Sequence, residues 1–575
     1  MKRLERLVPL VASLRRYDGP TFKSDLAAGL TTAVMLIPQG MGYAMIAGLP
    51  PIYGLYSSVI PLLVYALFGT SRQLAVGPVA MVSLLTATGV GAIADTGTDA
   101  FIAYAILLAL LVGLIQFVMG IGRLGFLVNF LSHPVISGFT SAAALIIGFS
   151  QLEHLLGVDI ARSHHVHTIL WQAAEQAKDI QPTTLAIGAG SIALLMLLKR
   201  WRPAFPRALA VVVLASLLVW GLGLHETGVA IVGTVPSGLP PLSVPTVDLA
   251  VMAELLPIAL TIALVGFMES IAVAKNYARR LKYDVDANRE LVGLGLANVA
   301  GAFTHAYPVT GGFSRTAVNA QAGARTGMAG ILTAVVIALT LVFLTPLFYY
   351  LPKAVLAAII MTAVFGLVDV REVKHLWHVK RTDLAMLIVT FVSTLTLGIE
   401  EGILVGVGTS LAVLVWRTTR PHVAVLGRLP GTEAWRNVKN FSEAEPVPGV
   451  LALRLDAQFY FGNVNFLKET LAELEAKADR PLRAVVIDAS AINQIDASAE
   501  GALREILEDY RSRGVELYLA NVKGPVRVVL EGSGFYDELG RDHVTLRVEE
   551  AMQRAAAVPV RSGEDGTGAN GAHAA

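Results

Sequence analysis

Long apolar runs separated by short polar loops occupy the chain as far as Trp416. A helix that crosses a bilayer needs about 20 consecutive apolar residues. Eleven runs meet this requirement clearly, near residues 25–47, 52–70, 100–121, 130–150, 184–198, 208–223, 255–274, 325–349, 354–370, 382–398 and 402–416. Three weaker runs lie near 78–93, 288–304 and 313–323. The pattern predicts an all-α polytopic membrane domain of fourteen spans over residues 25–417.

Lysine and arginine are concentrated in every second loop between these spans. Examples are "KRWRPAFPR" (199–207), "KNYARRLKYDVDANR" (275–289) and "REVKHLWHVKR" (371–381), whereas the intervening loops hold few cations. Cytoplasmic loops near the ends of spans are enriched in these residues. An even number of spans then places both chain termini in the cytosol. We expect a multi-pass protein of the inner (cytoplasmic) membrane, with residues 1–24 as a basic cytosolic arm.

Two of the weak spans share an interrupted character. "AVGPVAMVSLLTATGV" (75–90) opens near a Gly-Pro pair, and "GGFSRTAVNAQAG" (311–323) opens with two glycines. Each is the third span of a seven-span half. Broken segments at matching places in two halves indicate a transporter site at the interface of an inverted repeat. The hydropathy pattern thus predicts a seven-plus-seven inverted repeat.

The composition changes after Trp416. Residues 418–446 are polar and rich in turn formers, which predicts a linker. From 447 to 557 strand-like and amphipathic helical segments alternate, which indicates a small cytosolic α/β domain. The tail 558–575 has too few apolar residues to bury a core and is expected to be disordered.

Composition excludes several classes of function. Only 15% of residues are charged, against roughly 25% in soluble domains. The formal charge of +1 gives no indication of nucleic-acid binding, and the absence of cysteine excludes thiolate metal sites and cysteine nucleophiles. No nucleotide-binding, zinc-protease or hydrolase motif is present. We therefore predict neither an enzyme nor a cofactor or metal site, and expect membrane lipid as the surroundings.

The second interrupted span is a candidate anion site. A half-helix that starts at Gly311 or Gly312 directs unsatisfied N–H groups and the positive end of its dipole into the bundle. Ser314 can add a hydroxyl donor, and Arg315 adds a cation that stays protonated. Ionisable groups inside membranes are costly and are usually functional. The alternative is that Arg315 has a purely structural role and is bound permanently by Glu269 or by backbone carbonyls.

The first interrupted span offers a second helix start. Gly77, Pro78, Val79 and Ala80 lie at its beginning, and proline suits the first turn of a helix. Two opposed helix N-termini would attract a small anion without a metal. A Gly-Pro pair more often marks an ordinary loop. Here it indicates a helix start because it lies at the matching place in the repeat.

Three polar residues of other spans complete the candidate site. Gln39 and Tyr43 are four residues apart in the first span and share a helical face, where they can bind an oxyanion and shape a pocket. Their alternative role is hydrogen bonding between helices. Glu269 in the eighth span could take up and release a proton during transport. Its alternative role is a static ion pair with Arg315.

One site is predicted in the α/β domain. Asp496 and Ser498 lie at a strand-to-helix junction in "NQIDASAEGAL". Aspartate or serine at such a junction is most often an N-cap. A regulatory role through phosphorylation is the second possibility.

Four motifs resemble those of one family. "IPQGMGYAMIAGLPPIYGLYSS", "GTSRQLAVGPVAMVSLL", "DANRELVGLGLANVAGAF" and "YPVTGGFSRTAVNAQAGARTG" are similar to segments of the SulP/SLC26 anion transporters of the bacterial sulfate permease type. The resemblance runs from about residue 20 to 555, and the C-terminal segment resembles the STAS domain of that family. It implies fourteen spans arranged as a UraA-like core and gate, and assembly as a homodimer.

The resemblance also implies roles for individual residues. It places the anion between Val79 and Ala80 on one side and Phe313, Ser314 and Arg315 on the other, with Gln39 and Tyr43 contributing from the first span. Proton-coupled members carry a carboxylate in the eighth span, which corresponds to Glu269. In related STAS domains a phosphorylatable serine directly follows the aspartate, but here Ala497 intervenes before Ser498, which argues against phosphorylation.

These observations predict a secondary active transporter that moves a small oxyanion, sulfate, together with a proton. Three alternatives stay open. The same architecture could carry bicarbonate, exchange chloride or carry a C4-dicarboxylate. It could carry a nucleobase, although such a site would present carboxylates rather than an arginine. Finally, the protein could be a membrane-anchored sensor whose STAS domain binds a protein partner.

Overall fold

The computed structural model describes residues 8–15, 17–126, 132–160, 166–201 and 207–559. The chain forms two compact units, Met1–Ser410 and Leu411–Ala575. Most of the predicted tail, and much of the predicted N-terminal arm, lies outside the described residues.

The first seven predicted spans all contain helices. The elements are α1 (Pro9–Leu14), α2 (Gly19–Ile46), α3 (Pro51–Tyr56), α4 (Ile60–Phe68), β1 (Val76–Gly77), α5 (Ala80–Gly91), α6 (Asp99–Ile121), α7 (His133–Ser150), α8 (Leu152–Leu156), α9 (Val166–Glu175), α10 (Pro182–Trp201) and α11 (Arg207–Gly221). The second span is divided into α3 and α4, and the third consists of a two-residue strand and the short helix α5.

The next seven predicted spans also contain helices. The elements are α12 (Leu249–Leu281), α13 (Ala287–Ala302), β2 (Thr310–Gly311), α14 (Phe313–Gln321), α15 (Met328–Phe343), α16 (Lys353–Val364), α17 (Val370–Val379), α18 (Arg381–Thr396) and α19 (Ile399–Thr419). The third span of this half again consists of a two-residue strand and a short helix, here β2 and α14.

Length and apolarity single out the helices that can cross a membrane. Among the described residues seven qualify: Pro51–Phe68, Asp99–Ile121, His133–Leu156, Pro182–Trp201, Leu249–Leu281, Lys353–Val379 and Glu401–Thr419. Three shorter apolar helices are Ala80–Gly91, Arg207–Gly221 and Met328–Phe343. The mostly helical membrane unit is confirmed, whereas the count of fourteen spans stays a prediction.

The membrane helices pack in two groups. One group contains α2 to α6 and α12 to α15, where α13 packs along α6 and α15 along α2. The other contains α7, α10, α11, α16 and α18, where α18 packs along α7 and α16 along α10. Helix α16 also packs on α2 and so joins the groups. We call the first group the core and the second the gate.

Several long helices of the core have a polar N-cap. The Asp18 carboxylate accepts a hydrogen bond from Thr21 N at the start of α2, and Asp248 accepts one from Ala250 N at the start of α12. Asp286 caps α13 in the same way. Such caps satisfy N–H groups that have no partner within the helix.

The second unit is an α/β sandwich. Its strands are β3 (Val423–Arg428), β4 (Trp435–Asn437), β5 (Val450–Leu455), β6 (Ala484–Asp488), β7 (Glu516–Ala520) and β8 (Val544–Thr545). Its helices are α20 (Val464–Ala476), α21 (Ala497–Ser512), α22 (Gly524–Gly532), α23 (Phe535–Leu539) and α24 (Val548–Ala557). The strand order is β4-β3-β5-β6-β7-β8, with β5 to β8 parallel.

Alternation along the strands gives this sheet two buried faces. Leu451 and Leu453 of β5 pack with α20 to α23 on one face, and Ala452 packs with α24 on the other. The stretch 418–446, for which the sequence predicts a linker, contributes the antiparallel strands β3 and β4. Strand pairing therefore begins well before residue 447.

Candidate functional site

Strands β1 and β2 bring the two interrupted spans together. They are antiparallel, with Val76 opposite Gly311 and Gly77 opposite Thr310. Gly312 N also donates a 3.1 Å hydrogen bond to Ala75 O. Because α5 and α14 follow these strands directly, the short pairing places the beginnings of both half-helices side by side within the core.

Neither half-helix has a side-chain cap. Helix α5 follows Val79 and α14 follows Gly312, and neither of these residues can supply a side-chain acceptor to the first turn. The core helices α2, α12 and α13 are capped by aspartate, so the two half-helices differ from them. Uncapped N–H groups and the positive dipole end favour an anion at each of these helix starts.

Arg315 lies between the two half-helices and is only 1% exposed. Its Nη1 donates a hydrogen bond to the backbone carbonyl of Pro78. Its Nε and Nη2 are buried and have no hydrogen-bond partner among the described residues. A backbone carbonyl therefore satisfies part of the guanidinium and leaves two N–H-bearing atoms without an acceptor.

Two glycines make room for this guanidinium. A Cβ atom on Gly312 would lie 2.7 Å from Nη2 of Arg315, which is too close for any real side chain. A Cβ atom on Gly77 would lie 3.6 Å from the same nitrogen, an ordinary contact distance. Gly312 is therefore required for the close approach, and Gly77 allows it.

Glu269 faces the same region from α12. It interacts electrostatically with Arg315, as do Tyr43 and Tyr307. In the part of the chain that the structure describes, the two residues form no direct ion pair, and Oε2 of Glu269 is buried without a hydrogen-bond partner. The static ion pair considered from the sequence is therefore absent from this conformation.

The other residues of the predicted site differ in accessibility. Gln39, Val79 and Ala80 are at most 7% exposed, and Oε1 of Gln39 has no partner among the described residues. Phe313 is 50% exposed, and Ser314 is also exposed. The first two side chains of α14 are therefore accessible, whereas the third, Arg315, is buried.

A cavity of about 320 Å³ lies between core and gate. Helices α2 and α14 line it from the core, and α10, α11 and α16 line it from the gate. Gln39, Arg207 and Gln321 are among its polar lining residues. Of the predicted substrate-binding residues only Gln39 is in its wall, as far as the described residues extend.

Hydroxyl groups that the sequence analysis did not single out hold β2 in place. Thr310 Oγ1 donates to Gly266 O at 2.6 Å, and Ser270 Oγ lies 2.7 Å from Thr310 Oγ1. Gly311 N donates to Ser270 Oγ at 2.9 Å. Ser270 directly follows Glu269, so the predicted proton carrier lies beside a fixed attachment point of α14.

A buried amide pair supports the same segment. Asn298 accepts a hydrogen bond from Val309 N at 2.8 Å and donates to Val309 O and to Gln116 Oε1. Gln116 in turn donates to Ala263 O at 3.2 Å. These bonds join α6, α12 and α13 to the approach of β2. Polar residues within apolar spans were the available sequence signal.

Two buried carboxylates near the basic loops were also missed. Asp25 accepts hydrogen bonds from Arg325 N, Thr326 N and Thr326 Oγ1. Glu290, which is fully buried, accepts from Tyr65 OH, from the backbone N–H groups of Thr70 and Ser71, and from Thr70 Oγ1. Both carboxylates fix loops between core helices.

In the second unit the Asp496 carboxylate is an N-cap. One oxygen accepts from Ala499 N at 2.9 Å at the start of α21, and the other accepts from Phe461 N at 2.9 Å. Ser498 is exposed in the first turn of the same helix. The aspartate therefore has the structural role that is commonest at such junctions.

Comparison with known proteins identifies the family. The Sulfate permease family model matches residues 22–390, and the STAS domain model matches residues 442–551. Sulfate transporter 4.1, chloroplastic, from Arabidopsis thaliana is 42% identical over 569 residues, which cover 96% of this chain and 82% of that protein. Low affinity sulfate transporter 3 from Stylosanthes hamata is 36% identical, covering 96% and 90%.

Solved structures agree with this assignment. Murine Solute Carrier 26 family member A9, an anion transporter in the inward-facing state, has a TM-score of 0.88 and 25% identity, covering 96% of this chain and 94% of that chain. The transmembrane domain of the cyanobacterial bicarbonate transporter BicA has a TM-score of 0.61 and 23% identity, covering 68% and 99%, and shows the fold alone. The chain belongs to the sulfate permease family, SulP/SLC26, and carries a C-terminal STAS domain.

Proposed function

We propose that the protein is a secondary active transporter that moves sulfate together with a proton across the inner membrane, with both termini in the cytosol. Membership of the sulfate permease family supports anion transport in general. The names of the relatives, a chloroplastic and a low affinity sulfate transporter, support sulfate as the anion. The family resemblance supports assembly as a homodimer.

The main support for this proposal is the environment of the Arg315 side chain. Its guanidinium is buried between two uncapped helix starts, and two of its nitrogens have no acceptor among the described residues. A buried donor without a partner costs about 1–3 kcal/mol, and more when it is charged. A bound oxyanion offers the missing acceptors together with a compensating charge. A neutral nucleobase would bring no negative charge to the guanidinium.

We assign the sulfate oxygens to Arg315 and to the first-turn N–H groups of α5 and α14. Val79, Ala80 and Phe313 belong to these helix starts, and Ser314 adds a hydroxyl donor. Gln39 can donate from its amide nitrogen. Tyr43 interacts electrostatically with Arg315 and shapes the site. In this assignment backbone dipoles and one fixed cation replace the hydration of the anion.

We assign the coupled proton to Glu269. Its carboxylate has a buried oxygen without a partner and lies within electrostatic range of Arg315. With an empty site, the negative carboxylate compensates the guanidinium. When a dianion arrives, protonation of Glu269 removes the repulsion between the carboxylate and the anion. Binding of the anion and uptake of the proton then favour each other, as linkage requires.

Transport requires that the site face each side of the membrane in turn. The cavity of about 320 Å³ is lined by α2 and α14 of the core and by α10, α11 and α16 of the gate. We propose that the core carries both half-helices past the gate as one body. The hydrogen bonds from β2 to α12 and α13 support a rigid core during this movement.

Uptake of labelled sulfate into proteoliposomes tests the proposal. An inside-alkaline pH gradient should drive sulfate accumulation, and excess unlabelled sulfate should inhibit it more strongly than bicarbonate or succinate. The Glu269→Gln variant should lose gradient-driven accumulation but keep sulfate counterflow. Glu254→Gln, an exposed glutamate of the same helix, is the matched control. If sulfate uptake by the unmodified protein does not depend on the pH gradient, proton coupling is refuted. If bicarbonate or succinate inhibits uptake more strongly than sulfate does, sulfate is not the preferred substrate.

A further inference from the structure

A second, larger cavity lies in the membrane unit, away from the site described above. Its volume is about 860 Å³. It is lined by α1, by the loop that follows α4, by the loop between α12 and α13, and by the loop that precedes α15. These loops are the basic ones, which the distribution of charge places on the cytosolic side.

Four arginines from four separate segments line this cavity. They are Arg15, Arg72, Arg289 and Arg325. The lining also contains two acidic residues, Asp284 and Asp286. Convergence of arginines from distant parts of the chain is not a consequence of one basic stretch of sequence. We call this site the arginine cavity.

Three of the four arginines are not held in a direct ion pair among the described residues. Arg72, Arg289 and Arg325 form no direct ion pair with a carboxylate in the described ranges. Arg325 is within electrostatic range of Asp18. Asp286 already caps α13 through Oδ1. The arginine cavity thus keeps guanidinium groups available to a ligand.

The walls of the cavity are fixed by hydrogen bonds. The guanidinium of Arg72 lies 4.7 Å from the ring centroid of Tyr283, and Arg72 N donates to Tyr283 OH at 3.2 Å. The buried carboxylates of Asp25 and Glu290 hold the loops that carry Arg325 and Arg72, as described above. Because these carboxylates are saturated with donors, they fix the loops that carry the arginines without forming ion pairs with them. A preorganised site loses less entropy when it binds a ligand.

From this geometry we propose that the arginine cavity binds a phosphate group of a multiply charged ligand at the cytosolic face of the core. Guanidinium groups match phosphate oxygens through paired N–H donors. Ser13 adds a hydroxyl group to the lining. The volume exceeds that of a phosphate group alone, so the remainder of a headgroup or of a soluble phosphate compound can also enter. Basic pockets on the cytoplasmic side of membrane proteins bind such headgroups.

Pyrophosphate and anionic lipid are the two probes that separate the sources of phosphate. Purified full-length protein is titrated with pyrophosphate in saturating sulfate, so that competition at the transport site does not contribute. Binding is measured from the shift in Tm. In parallel, native mass spectrometry of protein released from nanodiscs compares retention of phosphatidylglycerol with that of phosphatidylcholine. Saturable binding of pyrophosphate supports the proposal and indicates a soluble phosphate compound. Selective retention of phosphatidylglycerol supports it and indicates a lipid headgroup.

Variants assign the binding to this cavity. Arg289→Gln combined with Arg325→Gln should weaken binding about tenfold or more, because each charged hydrogen bond is worth about 1.5–3 kcal/mol. Arg371→Gln, an exposed arginine of another basic loop, should leave the affinity unchanged. If the glutamine pair does not fold, Arg289→Lys with Arg325→Lys keeps the charge and removes the paired donors, and should bind more weakly than the unmodified protein. Equal effects of the control and the cavity variants, unchanged affinity of the variants, or no binding of either probe would overturn the proposal.

Discussion

Arg315 Nη1 donates a hydrogen bond to the carbonyl of Pro78, 237 positions away in the chain. This bond runs from one half-helix to the residues just before the other. Together with the pairing of Val76 and Gly311, this bond holds the beginnings of both half-helices together. Two other nitrogens of the same side chain have no hydrogen-bond partner among the residues that the structure describes. One residue therefore both joins the two halves and offers donors to an anion.

Replacement of Arg315 should separate these two roles. Arg315→Lys keeps a positive charge but not the paired donors, and Arg315→Gln removes the charge. We expect sulfate affinity to fall about tenfold or more in the lysine variant, and further in the glutamine variant, because charged hydrogen bonds contribute about 1.5–3 kcal/mol each. Equilibrium binding of labelled sulfate to purified protein measures the effect. Full affinity in Arg315→Gln would contradict the proposed site.

A methyl group at Gly312 should disturb the guanidinium without a change in charge. The added Cβ would lie 2.7 Å from Nη2 of Arg315, so the side chain must move away from Pro78. We expect Gly312→Ala to weaken sulfate binding while the protein still folds. Gly91→Ala is the control, because a Cβ there meets no atom within 4 Å. Sulfate binding and Tm are measured on both variants. Equal sulfate binding by the two would show that Gly312 is not needed to position the guanidinium of Arg315.

Loss of the Asn298 side chain should destabilise the membrane unit. It would leave N and O of Val309 and the amide oxygen of Gln116 without these partners inside the core. Each unsatisfied buried polar group costs about 1–3 kcal/mol. We expect Asn298→Ala to lower the Tm of the purified protein and to reduce transport. Asn276→Ala, in a partly exposed position of α12, should have little effect. A Tm equal to that of the unmodified protein would show that the amide pair is dispensable.

Acid should weaken the second unit through Asp456. Burial alone would raise the pKa of this carboxyl, but hydrogen bonds from Arg454 and His422 outweigh burial and hold the pKa below its ordinary value of 3.8. Since the folded pKa is the lower one, the stabilisation is complete above the ordinary value and is lost as the pH falls through the folded value.

Hydrogen exchange of the β3 and β5 amides at decreasing pH measures this loss. The pH dependence below about pH 4, corrected for intrinsic exchange, should be smaller in Asp456→Asn, because that side chain cannot gain a proton in this range. Asp479→Asn, an exposed position, should retain the full dependence. An unaltered profile in Asp456→Asn would assign the acid sensitivity to other groups.

The cap at Asp496 predicts a difference between two neighbouring residues. Asp496→Ala removes acceptors for Ala499 N and Phe461 N, and loss of such a cap typically costs about 1 kcal/mol. Ser498→Ala, at an exposed position, should leave stability unchanged. Protection of the α21 amides against hydrogen exchange measures both. If Ser498 is a regulatory phosphorylation site, a phosphate should be found on it in protein isolated from cells. Its absence there would leave Asp496 as a structural cap.

The two interrupted spans could be located from the sequence because their signals are local. Helix starts at Gly77-Pro78 and at Gly311-Gly312 follow from backbone preferences of a few neighbouring residues, and the arginine at 315 is visible as a charge in a weak span. The structure then places these segments side by side through β1 and β2. Sequence reasoning could not decide whether Glu269 pairs with Arg315, because both roles require proximity.

Other features depend on residues far apart in the chain. Asn298 and Gln116 are 182 positions apart, and nothing in either span identifies the other as its partner. The segments of β3 and β4 were predicted as linker for the same reason. Strand β3 depends on pairing with β5, and β4 depends on pairing with β3. Asp25 and Glu290 appeared as unremarkable acidic residues near loops, although each fixes a distant loop.

The sequence by itself determined the membrane class, the two interrupted spans and the alternating strands and helices of the second unit, because hydrophobic periodicity and turn residues act over a few positions. Only the tertiary structure decided which buried polar atoms find partners and which do not. That outcome depends on distances between segments hundreds of residues apart. Both the two nitrogens of Arg315 that have no partner within the described ranges and the convergence of four arginines on one cavity are of this kind.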